Sequence, residues 1–89
     1  MLEKIKNEIT NSIPDAKIEI ADTSNAHANH YEPVNQSIPS HLTIKVISDQ
    51  FQGMNLVQRH RLINNIMQPY FHQGLHALQI VAQTQDEVS

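Results

Sequence analysis

The spacing between apolar residues changes repeatedly along this 89-residue chain, and the order of those changes limits its possible folds more than any other feature. Leu2, Ile5, Ile9 and Ile13 recur at intervals of three and four, which lays one apolar stripe along a helix, and Pro14 with Asp15 ends it near residue 12. Ala16, Ile18 and Ile20 then alternate with Lys17 and Glu19, the period-two pattern of a strand with one buried face. Leu42, Ile44 and Val46 repeat that pattern, with Thr43 and Lys45 on the other parity. Asp49-Gln50-Phe51-Gln52-Gly53 reads as a turn. Leu56, Ile63, Ile66, Met67 and Tyr70 return to helical spacing over Asn55 to about Gln68, with a separate short turn near Leu56 as an alternative start. Pro69 is expected to end or kink this helix, because proline lacks an amide donor and biases Gln68 away from helical dihedrals. Leu75 to Ala82 is of strand length, and the polar Gln79 puts Leu78 and Ile80 on the buried parity. The last five or six residues are expected to fray or form one short turn.

The order helix, strand, strand, helix, strand predicts an α+β fold, a three-stranded mixed sheet with helices covering one face. One domain over residues 1–89 is expected, since no repeat, charge block or linker interrupts the pattern. A chain this short buries only roughly 60–65% of its unfolded surface, which leaves little room for an enclosed catalytic cleft. It has no cysteine, hence no disulfide, thiolate ligand or redox dithiol of its own. No stretch approaches the ~20 apolar residues of a membrane span. Glu3, Lys4, Lys6 and Glu8 interrupt the apolar run that a signal peptide would need. The expected location is therefore cytoplasmic, or an organelle if a targeting segment has been removed. A formal charge of −3 and a pI near 6.0 give a field that does not favour polyanions.

Histidine is the compositional outlier, its six copies equalling all Lys and Arg together. Imidazole titrates near neutrality and ligates metals, so its placement is informative. Asp22 to Ser40 is a polar stretch of about nineteen residues without periodicity, beyond the ~12–15 at which structureless loops become uncommon and are usually functional or disordered. It carries His27 and His30, and His41 follows it. These three are either solvated side chains or, with no thiolate to help, a mononuclear zinc site. His76 falls on the core-facing parity of the last strand, just after Gly74, at the rim of the core. It reads either as a ligand or as a ring satisfied by a backbone carbonyl. Arg59-His60-Arg61 is the one concentrated basic patch, and neighbouring helical residues diverge, so solvated helix surface is the plain reading. Neither a nucleophile with its base nor a glycine-rich phosphate cradle is apparent, Gly53 and Gly74 being the only glycines.

Four segments in order, Asp22-Thr23-Ser24 with His27, Ser40-His41-Leu42, Val46 to Gly53, and Val57 to Ile63 followed by Leu75-His76-Ala77-Leu78, make the chain resemble the BolA family over nearly its whole length. The resemblance implies a fold like the class II KH domain. It also implies a non-enzymatic adaptor for a monothiol glutaredoxin, in iron-sulfur maturation or iron regulation. The shared [2Fe-2S] cluster is otherwise held by glutaredoxin cysteine and glutathione, and the BolA-like chain supplies histidine, binding no cluster when isolated. On this resemblance His76 matches the C-terminal ligand, and His27 matches a loop position that is histidine in one subgroup and cysteine in another. The loop is longer than in comparable members, and His30, three residues on, is an alternative loop ligand. The competing expectation is a DNA-binding transcriptional regulator using Lys45, Arg59, His60 and Arg61, though the chain lacks the Gly-x-x-Gly loop with which KH domains clamp a nucleic-acid backbone. Alone, the chain is expected to be a monomer or a weak homodimer.

Overall fold

The computed structural model describes residues 2–23 and 40–88. Helix α1 (Leu2–Ser12) turns Ile5 and Ile9 fully inward, as the stripe requires. The last helical bond reaches Ile13, whose amide donates to Ile9 O at 2.8 Å, before Pro14 withdraws the next donor. Strand β1 (Lys17–Asp22) pairs antiparallel with β2 (His41–Ile47), and β2 pairs parallel with β3 (Ala77–Gln83). The sheet order is β1-β2-β3, so β2 is central. A parallel neighbour needs a crossover. A 3-10 turn (Asp49–Phe51) and helix α2 (Leu56–His72) provide it, and a short helix α3 (Gln85–Val88) closes the described chain.

Leu42, Ile44 and Val46 form the inner stripe of β2 and meet Ile5, Ile9 and Ile13 of the first helical segment and Ile63, Met67 and Tyr70 of α2. On the flanking strands Ile18, Ile20, Leu78 and Ile80 point to the same side but remain half-buried, because each lies at a sheet edge. Phe51, read from the sequence only as part of a turn, is completely buried in this core. A polar knot holds the far end of the sheet. The buried Ser48 hydroxyl donates to Asp15 at 2.5 Å, the Asp49 amide donates to the same carboxylate, and Asp49 accepts from the Gln85 amide.

Helix α2 corrects two expectations. Leu56, placed in its apolar stripe, is 62% exposed and begins the helix directly, behind an Asn55 cap whose side chain and that of Gln58 satisfy each other's backbone amides. Pro69 does not end the helix, which runs on to His72. The proline and Asn65, whose carbonyl loses its helical donor, both lie on the exposed side, where water can satisfy that carbonyl. Burial of Met67 and Tyr70 on the inner side holds the turn together. The chain leaves through Gly74, whose φ of +127° suits a residue without a side chain, and Leu75 donates back to Tyr70 O at 3.0 Å. No helix among the described residues is long and apolar enough to cross a membrane.

Two substitutions test this core. Ile44→Ala removes a fully buried side chain from the central strand and is expected to cost about 2–5 kcal/mol in urea unfolding. Among the described residues no group meets the buried Tyr70 hydroxyl at hydrogen-bonding geometry, and burial, followed by the nearby Glu8 carboxylate, pushes the phenol above its usual range. Tyr70→Phe is expected to raise the unfolding free energy by about 1 kcal/mol, because it deletes an unsatisfied group at little cost in shape.

Candidate functional site

Strand register brings His41 and His76 to one end of the sheet. His76 lies just before β3, between the buried Leu75 and the first paired residue, Ala77. Its amide donates to Ser40 O at 2.8 Å, and the Ala77 amide shares that acceptor at 3.1 Å. The backbone is therefore pinned to β2 while the imidazole stands exposed. Its parity is that of Leu78, as the alternation predicted. It is nevertheless not held at a buried rim, because the sheet begins one residue later and no described group hydrogen-bonds its ring.

The segment from 24 to 39, which carries His27 and His30, is outside the described residues, but both of its anchors are defined. At one end the Thr23 amide donates to His41 O at 3.0 Å; at the other, Ser40 O receives His76. Entry and exit of that segment thus flank the start of β2, beside His76. The half-buried His41 is paired in register with Ala77, and its Nδ1 lies 2.9 Å from the Ser40 hydroxyl. A zinc site from His27, His30 and His41 falls partly outside the described residues. Among the described ones, no three His, Asp or Glu side chains converge as a metal site. One exposed imidazole on a pinned backbone could serve as a single ligand to a metal or cluster whose other ligands come from another molecule.

The expected basic face is not assembled. Arg59, read as solvated helix surface, is only 7% exposed. Its Nε donates to Met54 O at 2.9 Å, one terminal nitrogen donates to Ala82 O at 3.1 Å, and the fork holds both oxygens of Glu87 at 2.6 and 3.1 Å. The guanidinium also lies 5.7 Å from the centre of the Phe51 ring. It occupies the inner stripe of α2 with Ile63, Met67 and Tyr70, and the carboxylate that draws it inward comes from the other end of the chain. The four-residue interval from Arg59 to Ile63 was the sequence signal for this. Arg61 is exposed on α2, His60 is half-buried, and Lys45 is on the sheet face away from α2, in register with Glu19. Lys45, Arg59 and Arg61 therefore cannot act as one phosphate-binding surface.

The clamp sets a pH dependence. Hydrogen bonds from Arg59 and from the Thr84 amide hold Glu87 down to about 2. The folded state thus favours the ionised carboxylate, and the resulting stability is full above the ordinary glutamate range and is lost as pH falls through about 2. The Ser48 hydrogen bond lowers Asp15 in the same sense. The melting temperature is expected to fall on acidification from about pH 5 to about pH 2. Glu87→Gln should lower it at neutral pH and flatten its acid slope, as calorimetry across pH would reveal.

The family described as BolA-like protein matches residues 9–87. The fold is similar to that of BolA1 from Arabidopsis thaliana, with a TM-score of 0.79 and 32% identity, covering 96% of this chain and 92% of that one. It is equally similar to the BolA domain of SufE1 from the same plant, with a TM-score of 0.78 and 36% identity over 96% and 92% of the two chains. Among full-length relatives, the chain is 36% identical to SufE-like protein 1, chloroplastic/mitochondrial, and to Protein BOLA1, chloroplastic, both of Arabidopsis thaliana; 96% and 98% of this chain are covered. It spans only 24% and 52% of their lengths.

Proposed function

This chain belongs to the BolA-like protein family, and from that membership we propose that it is a non-enzymatic adaptor that lends histidine to a [2Fe-2S] cluster carried by a monothiol glutaredoxin. The observation that carries the reading is the convergence at the start of β2, where an exposed, backbone-pinned His76 stands beside both anchors of the segment bearing His27 and His30. His76 is the rigid donor, and His27, or His30 in its place, the loop donor. Partner cysteine and glutathione complete the set, which suits a chain with no thiol. Imidazole in place of thiolate removes negative charge at iron and raises the reduction potential. A relative that carries a BolA domain within a much longer chain supports a module working beside another protein. The regulator reading has lost Arg59, its central cation, to Glu87.

The test mixes the purified chain with cluster-loaded monothiol glutaredoxin and follows visible absorption and circular dichroism. The native protein is expected to produce a new spectrum, His76→Ala to lose it with the fold intact, and His41→Ala to retain it. A native chain that leaves the glutaredoxin spectrum unchanged refutes the adaptor reading.

A further inference from the structure

The two edges of the sheet are built differently. The β1 edge carries Lys17, Glu19 and Asp22, and charged side chains of this kind discourage further strand pairing. Ala77–Gln83 carries no Asp, Glu, Lys, Arg or Pro. The hydrogen bonds identify which main-chain groups of β3 are free. The Ala77 amide and the Gln83 carbonyl face β2, so the odd-numbered residues of this regular ladder are paired and Leu78, Ile80 and Ala82 point outward. Arg59 caps Ala82 O at 3.1 Å and closes that end. Among the described residues nothing takes the outward amides and carbonyls of Leu78 and Ile80. Their side chains are half-buried, whereas Leu42, Ile44 and Val46 one strand away are fully buried.

We infer that this edge pairs with the same edge of a second copy of the chain, antiparallel about a two-fold axis through Gln79. With Ala82 O taken by Arg59, this register satisfies every outward amide and carbonyl of Leu78 and Ile80. Leu78 meets Ile80 of the second copy, and each such pair exchanges two backbone hydrogen bonds, making four in total. The Leu78 and Ile80 side chains extend the inner apolar stripe across the axis, and the two Gln79 amides face one another on the open side. Arg59 at Ala82 stops the pairing from running further, and the two-fold closes it, so the product is a dimer rather than a filament. No charged pair is brought together at the seam. The −3 charge of each copy opposes association, so the dimer is weak and added salt strengthens it.

Sedimentation equilibrium on the full chain from micromolar to millimolar concentration tests this. The native protein is expected to pass from monomer to dimer. Gln79 is exposed and outside the core, so Gln79→Lys and Gln79→Glu leave the fold intact while each sets like charges directly opposite across the axis. Each variant alone is expected to dimerise about tenfold more weakly than native, and an equimolar mixture of the two to recover dimer as the mixed species. Amide exchange at Leu78 and Ile80 should slow with concentration, and at about tenfold lower concentration in the native protein than in either variant alone. A native chain that stays monomeric throughout, or variants that dimerise like native, overturns the proposal.

Discussion

Strand β2 is the element on which the rest of the molecule is registered. It alone is paired on both sides, antiparallel to β1 and parallel to β3, and its inner residues Leu42, Ile44 and Val46 are the ones onto which both long helices pack. Because alternation along a strand has a period of two, a slip of one residue in β2 would exchange Ile44 with Lys45 and empty the core. The same register decides where the chain ends up at the start of the strand. Ser40 must meet His76 and His41 must meet Thr23, so a packing requirement of the core gathers one exposed imidazole and both ends of the long segment at one place.

The opposite end of the sheet is held by polar contacts instead. Arg59 bridges the Met54 and Ala82 carbonyls and Glu87, while Asp15, Ser48 and Asp49 tie the first helix-strand turn to the end of β2 and the start of α3. A buried arginine is tolerated only where its donors are met, and here two carbonyls and one carboxylate meet them. The arrangement separates two tasks. One end is locked by charge and hydrogen bonds that are spent on the fold, and at the other the imidazole of His76 stands exposed.

The elements were legible because their periods are strong. The apolar stripes of α1 and α2, and the alternation in all three strands, place Ile5, Ile9, Ile44, Ile63 and Leu78 on the inner side from spacing alone. Local chemistry misled where a long-range partner overrode it. Proline is a helix breaker by local rules, yet Pro69 sits inside α2 because Met67 and Tyr70 are buried on the opposite side. Phe51 looked like a turn residue because its neighbours are polar, but the 3-10 turn carries the ring into the core. Arg59 looked like solvated basic surface because Glu87 is 28 residues away in sequence.

For the site the division has the same cause. The sequence by itself determined the α+β class, the lack of any thiol, the candidate histidines and the family, since these depend on residue type and spacing along the chain. Tertiary structure alone decided that His76 is exposed on a pinned backbone, that the anchors of the long segment lie beside it, and that Arg59 belongs to the fold rather than to a basic face. Each of those outcomes depends on contacts between residues far apart in the chain, such as Ser40 with His76 and Arg59 with Glu87, and no local period encodes which distant groups meet.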